Sequence, residues 1–562
     1  MSERILVAVA WPYADGPLHL GHVAGAYLPP DIFARYHRAK GNEVLMVSGS
    51  DQHGTPITLK AEQEGKTPAE MASRYHQQFL DSWQALGISF DLFTSTETAN
   101  HAEVSRDIFL TLLDKGYLYR ATVSQPFCSH CRRFLPDRYV EGTCPHCSFS
   151  GARGDQCDSC GRPLNPAELV EPRCGVCGAP PRFKDSEHFF FSLSQFRDRL
   201  LAWVREQTHW RQNALNFTLR YLEEGLKDRA ITRDIEWGVP VPVAGFEGKR
   251  LYVWFEAVIG YLSASKEWAR SCGDSEKWRS FWQGEAKSYY FIGKDNIPFH
   301  TIVWPAMLMG YGGLNLPYDV PANEFLTIEG RKLSTSRNWA VWLPDYLSRY
   351  DPDPLRYLLS INMPETGDTD FSWREFIRRN NDELVATYGN LVHRVLTFVY
   401  RNFDGRVPTE SDLGISSIGE RTQTQLEANS LSNLSAMDRE LSQCHFKAAL
   451  YLAMSIAHQA NRYLEEESPW KVIKEERQAA ANSLYVALCV ISHLRTMLYP
   501  FLPFSSQKLH QLLGFEGNVD DYGWKPTAPE PGQRLLPPEP LFSKLEERLA
   551  EEEAGRLEQS GC

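Results

Sequence analysis

The stretch Arg4-Ile5-Leu6-Val7-Ala8-Val9-Ala10-Trp11 is followed, after seven residues rich in turn formers, by His19-Leu20-Gly21-His22. The apolar run predicts a buried strand, and the periodic segment from residue 23 to about residue 38 predicts a helix. A tight turn from a strand into a helix directs backbone N–H groups and the positive end of the helix dipole at one point. A nucleotide phosphate binds well there, and His19 and His22 can both donate hydrogen bonds to it.

This four-residue pattern is weak when it stands alone. It also fits two structural histidines at a helix start, or a metal site with two histidine ligands. Gly21 favours the nucleotide interpretation, because the absence of a Cβ lets a flat ring lie against the backbone.

A basic, hydroxyl-rich segment lies far downstream, at Gly330-Arg331-Lys332-Leu333-Ser334-Thr335-Ser336-Arg337-Asn338. It predicts a flexible loop that brings cationic and hydrogen-bonding side chains onto a polyphosphate, as an electrostatic clamp. Taken alone, the segment also fits an ordinary surface loop.

Length and composition indicate a globular protein of several modules. A chain of 562 residues is too long for one hydrophobic core, and it predicts about three or four modules. Its 43% hydrophobic and 23% charged residues are typical of globular proteins. We find no secretion signal and no apolar run of about 18 residues, and therefore expect a soluble, cytoplasmic protein. The net charge of −12 confines any RNA contact to a defined face.

Eight of the twelve cysteines form four Cys-x-x-Cys pairs, namely Cys128/Cys131, Cys144/Cys147, Cys157/Cys160 and Cys174/Cys177. Each pair can give two thiolates to a tetrahedral ion, which predicts two four-thiolate zinc sites. Disulfides are a poor alternative in a chain without a secretion signal. The spacing leaves two arrangements open, sequential pairing of the knuckles or nested pairing of the inner two and the outer two. The isolated cysteines suit packing roles: Cys272, Cys444, Cys489 and Cys562.

Strands and helices alternate on both sides of the cysteine-bearing segment, which spans about residues 117–231. We predict strands at residues 5–10, 44–50, 251–255 and 289–292, and helices at residues 23–38 and 68–86. This order predicts an α/β fold in which an insertion splits a doubly wound parallel sheet.

Beyond about residue 375 the strand patterns stop, and amphipathic stretches indicate an α-helical bundle. They cover residues 380–402, 420–443, 446–465 and 478–498. The last segment, residues 545–562, is rich in Glu and shows no core-forming face. We therefore predict a solvated helix or a frayed tail there.

Ligands of doubly wound sheets bind at the carboxyl ends of the strands. The residues just past the predicted strands are therefore candidate ligand contacts: Tyr13, His19, His22, Asp51, Trp254, Gly293, Lys294 and Asp295. A lone Asp after a strand is also a common turn former, and a tryptophan there also fits a core position.

The two segments His-Leu-Gly-His and Lys-Leu-Ser-Thr-Ser resemble the HIGH and KMSKS signatures of class I aminoacyl-tRNA synthetases, in the expected order. Within that class the chain is most similar to the methionyl-tRNA synthetase family, over nearly its whole length. Six stretches carry the resemblance: residues 11–22 (WPYADGPLHLGH), 49–56 (GSDQHGTP), 134–138 (FLPDR), 231–234 (ITRD), 252–257 (YVWFEA) and 291–296 (FIGKDN).

The resemblance implies a class I Rossmann-like fold and a two-step ligase reaction. ATP, bound with Mg²⁺, activates L-methionine to methionyl-adenylate, and the acyl group then passes to the 3′ end of tRNA(Met), including initiator tRNA. The resemblance also implies two structural Zn²⁺ ions in the nested arrangement, because members with a single zinc keep knuckles like the inner ones of this chain. Site 1 would then hold Cys144, Cys147, Cys157 and Cys160, and site 2 would hold Cys128, Cys131, Cys174 and Cys177.

The resemblance divides the chain into domains. Residues 1–116 and 232–325 would form the two halves of the catalytic Rossmann domain, 117–231 the connective insertion, 326–375 the KMSKS loop and stem-contact region, 376–540 the helical anticodon-binding domain and 541–562 an acidic tail. Some family members carry a further, dimerising domain after the helical bundle. The chain ends before such a domain, so we expect a monomer.

The resemblance also assigns the site residues. The catalytic set is His19, His22, Lys332 and Asp295, and the ATP contacts are His19, Gly21, His22, Gly293, Lys332, Ser334, Thr335 and Ser336. For methionine, Asp51 would face the ammonium group and Arg233 the carboxylate. The thioether would be enclosed by Tyr13, Trp254, Tyr261 and His300. The anticodon would be read by Asn390, Arg394 and Trp470.

The chain departs from the family pattern at four positions. Trp11, Val258 and Asn296 stand where the better-known bacterial members have aliphatic, Pro and aliphatic residues, which alters the shape of the pocket. Thr335 stands where the signature has a second lysine, and a threonine cannot supply that positive charge. Arg337, two residues further on, and Lys332 are the candidates to compensate for it.

Three other classes of protein fit parts of the pattern. A class I synthetase for Ile, Val or Leu shares the HIGH-type signature, but it carries a much larger insertion for editing. A nucleotidylyltransferase can use His-x-Gly-His for adenylyl transfer, but it needs neither zinc knuckles nor a helical bundle. A non-catalytic zinc-ribbon RNA-binding protein would have no need of the intact HLGH segment, Asp51 and Lys332.

Overall fold

The computed structural model describes residues 2–136, 139–154, 157, 159–160, 164, 166–334 and 338–560. In its first part, strands and helices alternate as the sequence periodicity predicts. They are β1 (Arg4–Val9), α1 (Leu20–His22), α2 (Leu28–Ala39), β2 (Glu43–Ser50), α3 (Thr55–Glu64), α4 (Pro68–Leu86), β3 (Leu92–Ser95) and α5 (Ala99–Asp114). A π-helical turn, Val23–Tyr27, joins α1 to α2, so the helix predicted from residue 23 begins at Leu20.

A second group of elements interrupts this alternation. They are β4 (Leu118–Cys128), β5 (Arg133–Phe134), β6 (Val140–Thr143), β7 (Ala152–Arg153), β8 (Val170–Cys174), β9 (Arg182–Phe191), α6 (Arg197–Arg205), α7 (Gln212–Glu224), β10 (Arg229–Ala230) and β11 (Thr232–Arg233). The long strands β4 and β9 pair antiparallel, from Leu118 against Phe191 to Phe127 against Arg182. The eight knuckle cysteines, residues 128 to 177, all lie beyond the end of the ribbon at which Phe127 pairs with Arg182. The β4–β9 ribbon is therefore a stalk that carries them.

The α/β alternation then resumes. Its elements are β12 (Arg250–Leu251), α8 (Val253–Glu256), α9 (Gly260–Ser271), α10 (Arg279–Trp282), β13 (Lys287–Gly293), α11 (Trp304–Tyr311) and β14 (Ala322–Asn323). Five strands form one parallel sheet in the order β14-β13-β1-β2-β3, in which Ile5 pairs with both Lys287 and Val44. The sheet therefore combines strands from both sides of the insertion, which confirms the predicted split α/β fold.

The prediction of a strand at residues 251–255 is wrong. Only Arg250–Leu251 is extended, as β12, and the chain turns at Tyr252 into the short helix α8. Val253, Phe255 and Glu256 are buried there. A short apolar run rich in aromatic and β-branched residues fits a buried strand and a buried helical turn equally well, so periodicity does not distinguish them.

A small three-stranded sheet follows the main one. The elements here are β15 (Leu326–Ile328), β16 (Arg331–Lys332), α12 (Leu343–Leu347), α13 (Pro352–Ile361), β17 (Thr369–Phe371) and α14 (Trp373–Arg379). Strand β15 lies between β16 and β17. The basic segment predicted as a loop thus begins as an edge strand of this sheet.

The remaining elements are helical, as predicted. They are α15 (Asn390–Asn402), α16 (Glu410–Leu413), α17 (Gln425–Ser442), α18 (Phe446–Glu467), α19 (Pro469–Val472), α20 (Arg477–Leu498), α21 (Pro503–Leu512) and α22 (Arg548–Ser560). A π-helical segment, Asn380–Gly389, connects α14 to α15. Helices α17, α18 and α20 pack on one another, and α20 is buried along most of its length. No helix in the described part of the chain is long and apolar enough to cross a membrane.

The prediction of a solvated or frayed tail is also wrong, because α22 packs against α14. Glu553 and Leu557 are each only 4% exposed. The Tyr350 hydroxyl donates to Glu553 at 2.9 Å, and Arg349 forms an ion pair with the same carboxylate. Leu549, Glu553 and Leu557 are four residues apart and so share one helix face. A glutamate in the middle of that face hides the apolar stripe in the sequence.

A buried ion pair connects the α/β part of the molecule to the helical part. Asp31 of α2 and Arg356 of α13 are both fully buried, and their side chains lie 2.6 Å apart. Arg356 also donates to the carbonyls of Leu86, Pro500 and Phe501. One guanidinium therefore joins three regions that are far apart in the sequence.

Candidate active site

The chain segments that follow β1 and β2 are joined just beyond the sheet. Tyr13 and Asp51 form an isolated β-bridge. There the Ala14 N–H donates to the Asp51 carbonyl, and the Asp51 N–H donates to the Pro12 carbonyl, both at 2.8 Å. Tyr13 and Asp51 therefore lie side by side at the carboxyl edge of the sheet, where ligands of such folds bind.

A cavity of about 440 Å³ opens at these strand ends. Eleven of the predicted site residues line it: Tyr13, His19, Gly21, His22, Asp51, Trp254, Tyr261, Gly293, Asp295, His300 and Lys332. Arg233 and Ser334 are not among its lining residues, and Thr335, Ser336 and Arg337 lie outside the described residues. The volume is within the range of small-molecule sites.

His19 and His22 stack on each other at the start of α1, with ring centroids 3.6 Å apart. The His19 N–H donates to His22 Nδ1 at 3.2 Å, and the His22 N–H donates to His19 Nδ1 at 3.3 Å. Because each Nδ1 accepts a hydrogen bond, the proton of each neutral ring lies on Nε2. Burial lowers the pKa of His22 to about 4 and that of His19 well below its usual value, so both rings are neutral at neutral pH. The pair therefore offers two Nε2–H donors without net charge.

Gly21 lies close to the basic segment. A Cβ at this position would come within 2.5 Å of Leu333 Cδ1 and within 3.1 Å of the His19 ring. The Leu333 side chain of the basic segment thus lies next to the Gly21 Cα, and a residue with a Cβ at position 21 would require that side chain to move.

The basic segment leaves β16 at Lys332 and turns back on itself. Ser334 and Trp339 exchange backbone hydrogen bonds of 3.0 and 2.9 Å across the turn. Gly330, just before β16, and Asn338, within the turn, have left-handed backbone with φ of 72° and 51°. This geometry holds exposed Lys332 at the rim of the cavity.

The two signature segments are hydrogen-bonded to each other just outside the basic turn. The Leu20 N–H donates to the Val341 carbonyl at 3.1 Å, and the Leu343 N–H donates to the Leu18 carbonyl at 2.7 Å. Segments that are more than 300 residues apart are thereby held as one unit.

Aromatic rings form the opposite wall. The Trp254 ring stacks on Phe299 with centroids 4.1 Å apart, and Tyr13 meets Trp254 edge-on at 5.9 Å. Flat apolar surfaces of this kind suit a soft, polarisable sulfur atom.

Tyr261 and His300 form a buried pair beside these rings. His300 Nδ1 donates to the Asn296 carbonyl at 2.9 Å, so its Nε2 accepts a hydrogen bond from the Tyr261 hydroxyl at 2.7 Å. Burial lowers the pKa of His300 to about 4, which keeps the ring neutral. Both polar hydrogens are thus already donated within the protein. The Tyr261–His300 pair therefore has no polar hydrogen left for a ligand.

Asp51 is the buried carboxylate of the cavity, at 3% exposure. Burial and the nearby Glu256 raise the pKa of Asp51 well above its usual value, whereas His53 opposes the increase. The His53 N–H donates to Asp51 Oδ1 at 3.2 Å. A buried carboxylate near aromatic rings suits a cationic ligand group such as an ammonium.

The structure does not bring Arg233 into the cavity wall. Its guanidinium lies 3.7 Å from the centre of the Tyr252 ring, and Nη1 donates to the carbonyls of Ala230 and Thr232, both at 3.0 Å. Arg233 therefore lies beside the start of α8, close to the chain that carries Trp254.

Sequence reasoning missed an acidic edge of the cavity, formed by Glu324 and Asp368. Lys294 Nζ lies 2.7 Å from a carboxylate oxygen of each. These two residues precede strands of only three residues, β15 and β17, which leave no readable period in the sequence. Lys294 itself was among the strand-end candidates, and the structure gives it two carboxylate partners.

The cysteines gather into two groups in the nested arrangement. Cys128, Cys131, Cys174 and Cys177 form one group, and Cys144, Cys147, Cys157 and Cys160 form the other. Within each group the sulfur atoms all lie within 4.8 Å of one another. Four thiolates at Zn–S distances of about 2.3 Å would be roughly 3.8 Å apart. The donor set and the spacing therefore fit a tetrahedral Zn²⁺ in each group.

The predicted nucleic-acid contacts lie together on the helical part. The Arg394 guanidinium lies 4.6 Å from the centre of the Trp470 ring, and Asn390 is exposed one turn earlier on α15. Trp470 follows Ser468, which has left-handed backbone with φ of 43° between α18 and α19. Trp470 is only partly buried, although it packs against the core of the helical part.

Comparison with known proteins defines the class first. Residues 5–396 match the family described as tRNA synthetases class I (M), and residues 415–560 match the anticodon binding domain of methionyl tRNA ligase. The first match alone covers more than half of the chain. The parallel sheet, the HLGH segment and the basic segment thus belong to a class I tRNA synthetase.

The relatives narrow this class to one family. A curated protein named methionine–tRNA ligase from Dehalococcoides mccartyi (strain CBDB1) is 64% identical over 557 residues, which are 99% of this chain and 100% of the relative. The protein of that name from Thermomicrobium roseum is 53% identical, with 99% of each chain covered. The structure of Mycobacterium tuberculosis methionyl-tRNA synthetase in complex with methionyl-adenylate matches with a TM-score of 0.78 and 26% identity, over 96% of this chain and 100% of that one. The chain belongs to the methionyl-tRNA synthetase family.

Proposed function

We propose that the protein is a methionine–tRNA ligase that activates L-methionine with ATP and transfers the methionyl group to the 3′ end of tRNA(Met), initiator tRNA included. One observation carries the proposal: His19 and His22, Asp51, and Lys332 come from three separate stretches of the sequence and line a single cavity at the strand ends. Family membership supports the same activity.

In the first step, a carboxylate oxygen of methionine attacks the α-phosphorus of ATP, and pyrophosphate leaves. We assign the Nε2–H groups of His19 and His22, and the ammonium of Lys332, to the phosphoryl oxygens on which negative charge grows. We assign further ATP contacts to Gly21, Gly293, Ser334, Thr335 and Ser336, and we include Asp295 in the catalytic group. No protein nucleophile is required, so catalysis consists of positioning and charge stabilisation.

In the second step, a terminal ribose hydroxyl of tRNA attacks the carbonyl carbon of the adenylate, and AMP leaves. The same carboxyl group of methionine is thus the nucleophile in the first step and the electrophile in the second. The cavity therefore need only hold the carboxyl group of methionine in one place while its reaction partner changes from ATP to tRNA.

For methionine, the buried carboxylate of Asp51 is the proposed partner of the α-ammonium group, and Arg233 is the proposed partner of the carboxylate. Tyr13, Trp254, Tyr261 and His300 are the proposed contacts of the side chain. Because the Tyr261–His300 pair donates no hydrogen outward, we assign it an apolar and lone-pair surface for the thioether.

ATP enters as its Mg²⁺ complex in this proposal. Four acidic residues line the cavity, namely Asp51, Asp295, Glu324 and Asp368, whereas Lys332 is the one lysine among its lining residues in the described part of the chain. A polyphosphate next to so many carboxylates needs additional positive charge, which Mg²⁺ brings with the nucleotide.

We further propose one structural Zn²⁺ in each four-cysteine group, two per chain. Neither group lies at the cavity, so the ions would stabilise the fold of the insertion and take no part in the reaction. We also propose that the protein acts as a monomer in the cytoplasm.

We propose that Asn390, Arg394 and Trp470 read the anticodon. An exposed amide and a partly exposed tryptophan with a guanidinium on its face are suited to hydrogen-bond and stack on unpaired bases. The net charge of −12 makes a local recognition surface necessary, since the chain as a whole repels RNA.

Amino-acid-dependent exchange of pyrophosphate with ATP tests the activation step. We expect exchange with methionine and a much lower kcat/KM with isoleucine, valine and leucine. Exchange with one of those three instead would favour another class I synthetase. No exchange with any of them, in a zinc-loaded protein that still binds RNA, would favour a non-catalytic RNA-binding protein.

The anticodon assignment is tested separately with Trp470→Ala. Loss of a stacking platform worth about 1–3 kcal/mol per base should lower kcat/KM for tRNA charging by about tenfold or more. Methionine-dependent exchange, which needs no tRNA, should stay nearly unchanged. An equal loss in both assays would contradict the assignment and would indicate a packing role for this tryptophan.

A further inference from the structure

A buried chain of ion pairs lies behind the cavity wall that carries Asp51. His53 is 3% exposed, its Nδ1 lies 2.6 Å from Glu256 Oε1, and its Nε2 lies 2.7 Å from Glu97 Oε2. Each carboxylate accepts a hydrogen bond, so both ring nitrogens donate and the ring is an imidazolium. Burial opposes this charge, but Glu256 and Glu97 outweigh it and raise the pKa of His53 to about 10.

His53 connects two walls of the cavity without lining the cavity itself. Its side chain is bonded to Glu256 at the end of α8, the helix that also carries Trp254. Its backbone N–H is bonded to the carboxylate of Asp51. One residue thus fixes the wall proposed for the ammonium group against the wall proposed for the side chain.

The same cluster sets the charge of Asp51. Burial, Glu256 and Asp15 all favour the protonated form of this carboxyl group, and the imidazolium of His53 favours the ionised form. Glu256 has a second neighbour, His101 of α5, whose Nε2 lies 3.6 Å from Glu256 Oε2. Without His53, Asp51 would face a buried carboxylate with much less compensating positive charge.

We propose that His53 is a positioning residue for the amino-acid substrate: by bridging Glu256 and Glu97, it holds Asp51 in place and puts a buried positive charge behind the carboxylate that we assign to the α-ammonium group. This inference rests on the proposed function, because it concerns how methionine is bound. It adds a requirement that lies outside the cavity, in a residue that the substrate never touches.

The test is His53→Gln, measured by methionine-dependent pyrophosphate exchange over a range of pH. The variant keeps a hydrogen-bonding side chain and removes the charge. We expect the KM for methionine to rise about tenfold or more, with a smaller change in kcat. Because the pKa of Asp51 rises further without the imidazolium, the pH below which methionine binding weakens should move upward relative to the unmodified protein. The matched control is His493→Gln, which removes another buried histidine, bonded to Ser430 at 2.7 Å in the helical part.

Two further variants separate charge from packing. Glu256→Gln in the His53→Gln background removes the uncompensated carboxylate, so it should restore part of the affinity for methionine. Glu97→Gln removes one partner of the imidazolium at a half-exposed position and should raise the KM in the same direction by a smaller factor. If His53→Gln does not fold, the KM of Glu97→Gln for methionine tests the proposed role of His53 instead.

An unchanged KM and pH profile in His53→Gln would overturn the inference. So would a double variant that recovers no affinity for methionine relative to His53→Gln. A KM increase equal to that of His493→Gln would also overturn it, since the loss would then be one of general stability. Absence of methionine-dependent exchange in the unmodified protein would instead overturn the proposed function itself. The two failures are therefore distinguishable.

Discussion

At the scale of single residues, His19 and His22 are arranged to donate hydrogen bonds while carrying no charge. Each Nδ1 is occupied by a backbone N–H of the other residue, and the pKa of His22 is lowered to about 4 by burial. Burial also lowers the pKa of His19 well below its usual value, so both rings are neutral at neutral pH. In the proposed reaction, the positive charge at the phosphates therefore comes from groups other than these rings, with Lys332 and the proposed Mg²⁺ among them.

This arrangement predicts different outcomes for two substitutions of His22. His22→Ala removes the Nε2–H donor and should lower kcat for pyrophosphate exchange by about 100-fold or more, with little change in the KM for methionine. His22→Gln keeps an N–H donor near the same position and should lose clearly less activity. Equal losses in the two variants would contradict a neutral-donor role.

Lys332→Ala should also lower kcat for exchange by about 100-fold or more, because the charge of Lys332 is assigned to the departing pyrophosphate. Lys66→Ala, at an exposed lysine after α3, is the control and should leave exchange unchanged. A result in which only the KM for ATP increases would assign Lys332 to ground-state binding.

At the scale of elements, the knuckle region is attached to the catalytic core through α3. Arg133 makes two hydrogen bonds to Glu62, of 2.6 and 3.2 Å, and the Tyr139 hydroxyl donates to Thr58 at 2.9 Å. Leu59 packs against the buried core of the cysteine groups. The group of Cys128, Cys131, Cys174 and Cys177 lies at the end of the β4–β9 stalk, and the other group is inserted within it.

The nested arrangement predicts how the metal content responds to one substitution. Cys157→Ser should release one Zn²⁺ and leave the stalk site filled, because the ligands of that site come from β4, β8 and the turns after them. Metal analysis of the purified variant should give about one ion per chain, against about two for the unmodified protein. Loss of both ions would contradict independent sites.

The helix α22 gives a stability prediction at the same scale. Leu557→Ala should lower the free energy of unfolding by about 2–4 kcal/mol, because the side chain is buried against the body of the molecule. Glu552→Gln, on the exposed face of the same helix, should change it by no more than about 0.5 kcal/mol. Urea denaturation would compare the two. Similar midpoints would show that α22 is not docked in solution.

Much of this architecture could be predicted from sequence, and the exceptions have physical causes. The apolar run of β1 and the four Cys-x-x-Cys pairs are local signals that need no tertiary information. The strand prediction for residues 251–255 was wrong because the aromatic residues there fit a strand pattern, whereas in the folded protein they are in a helical turn. The prediction of a solvated tail was wrong because Glu553 is buried in an ion pair with Arg349. A partner so distant in the sequence leaves no local signal. The His53 cluster and the Glu324–Asp368 edge were missed for the same reason.

At the scale of the whole molecule, the Asp31–Arg356 pair holds the α/β and helical parts together. Burial alone would raise the pKa of Asp31, but Arg35 and Arg356 outweigh it and lower the pKa to about 2, from an ordinary value of 3.8. A carboxyl group with a lowered pKa stabilises the folded state above its unfolded pKa. That contribution, about 2 kcal/mol, is lost as the pH falls from about 3.8 towards 2.

Asp31→Asn should therefore cost about 3–5 kcal/mol at neutral pH, since it leaves Arg356 buried without a counter-charge. The variant should also lose part of the dependence of unfolding free energy on pH between about 4 and 2. Chemical denaturation at several pH values measures both effects. Asp81→Asn, at an exposed aspartate of α4, is the control, and a matching loss there would assign the effect to net charge.

The order of strands in the sheet has a consequence for how the protein is made. Ile5 pairs with Lys287, which is 282 residues further along the chain. At a translation rate of about 5–20 residues per second, β13 leaves the ribosome roughly 15–60 s after β1. Throughout that interval β1 has an unpaired, strongly apolar edge, and such edges recruit other chains. Early folding of β1 with β2 would cover part of that edge. The whole insertion, with the cysteines that we propose to bind Zn²⁺, leaves the ribosome before β13 completes the sheet.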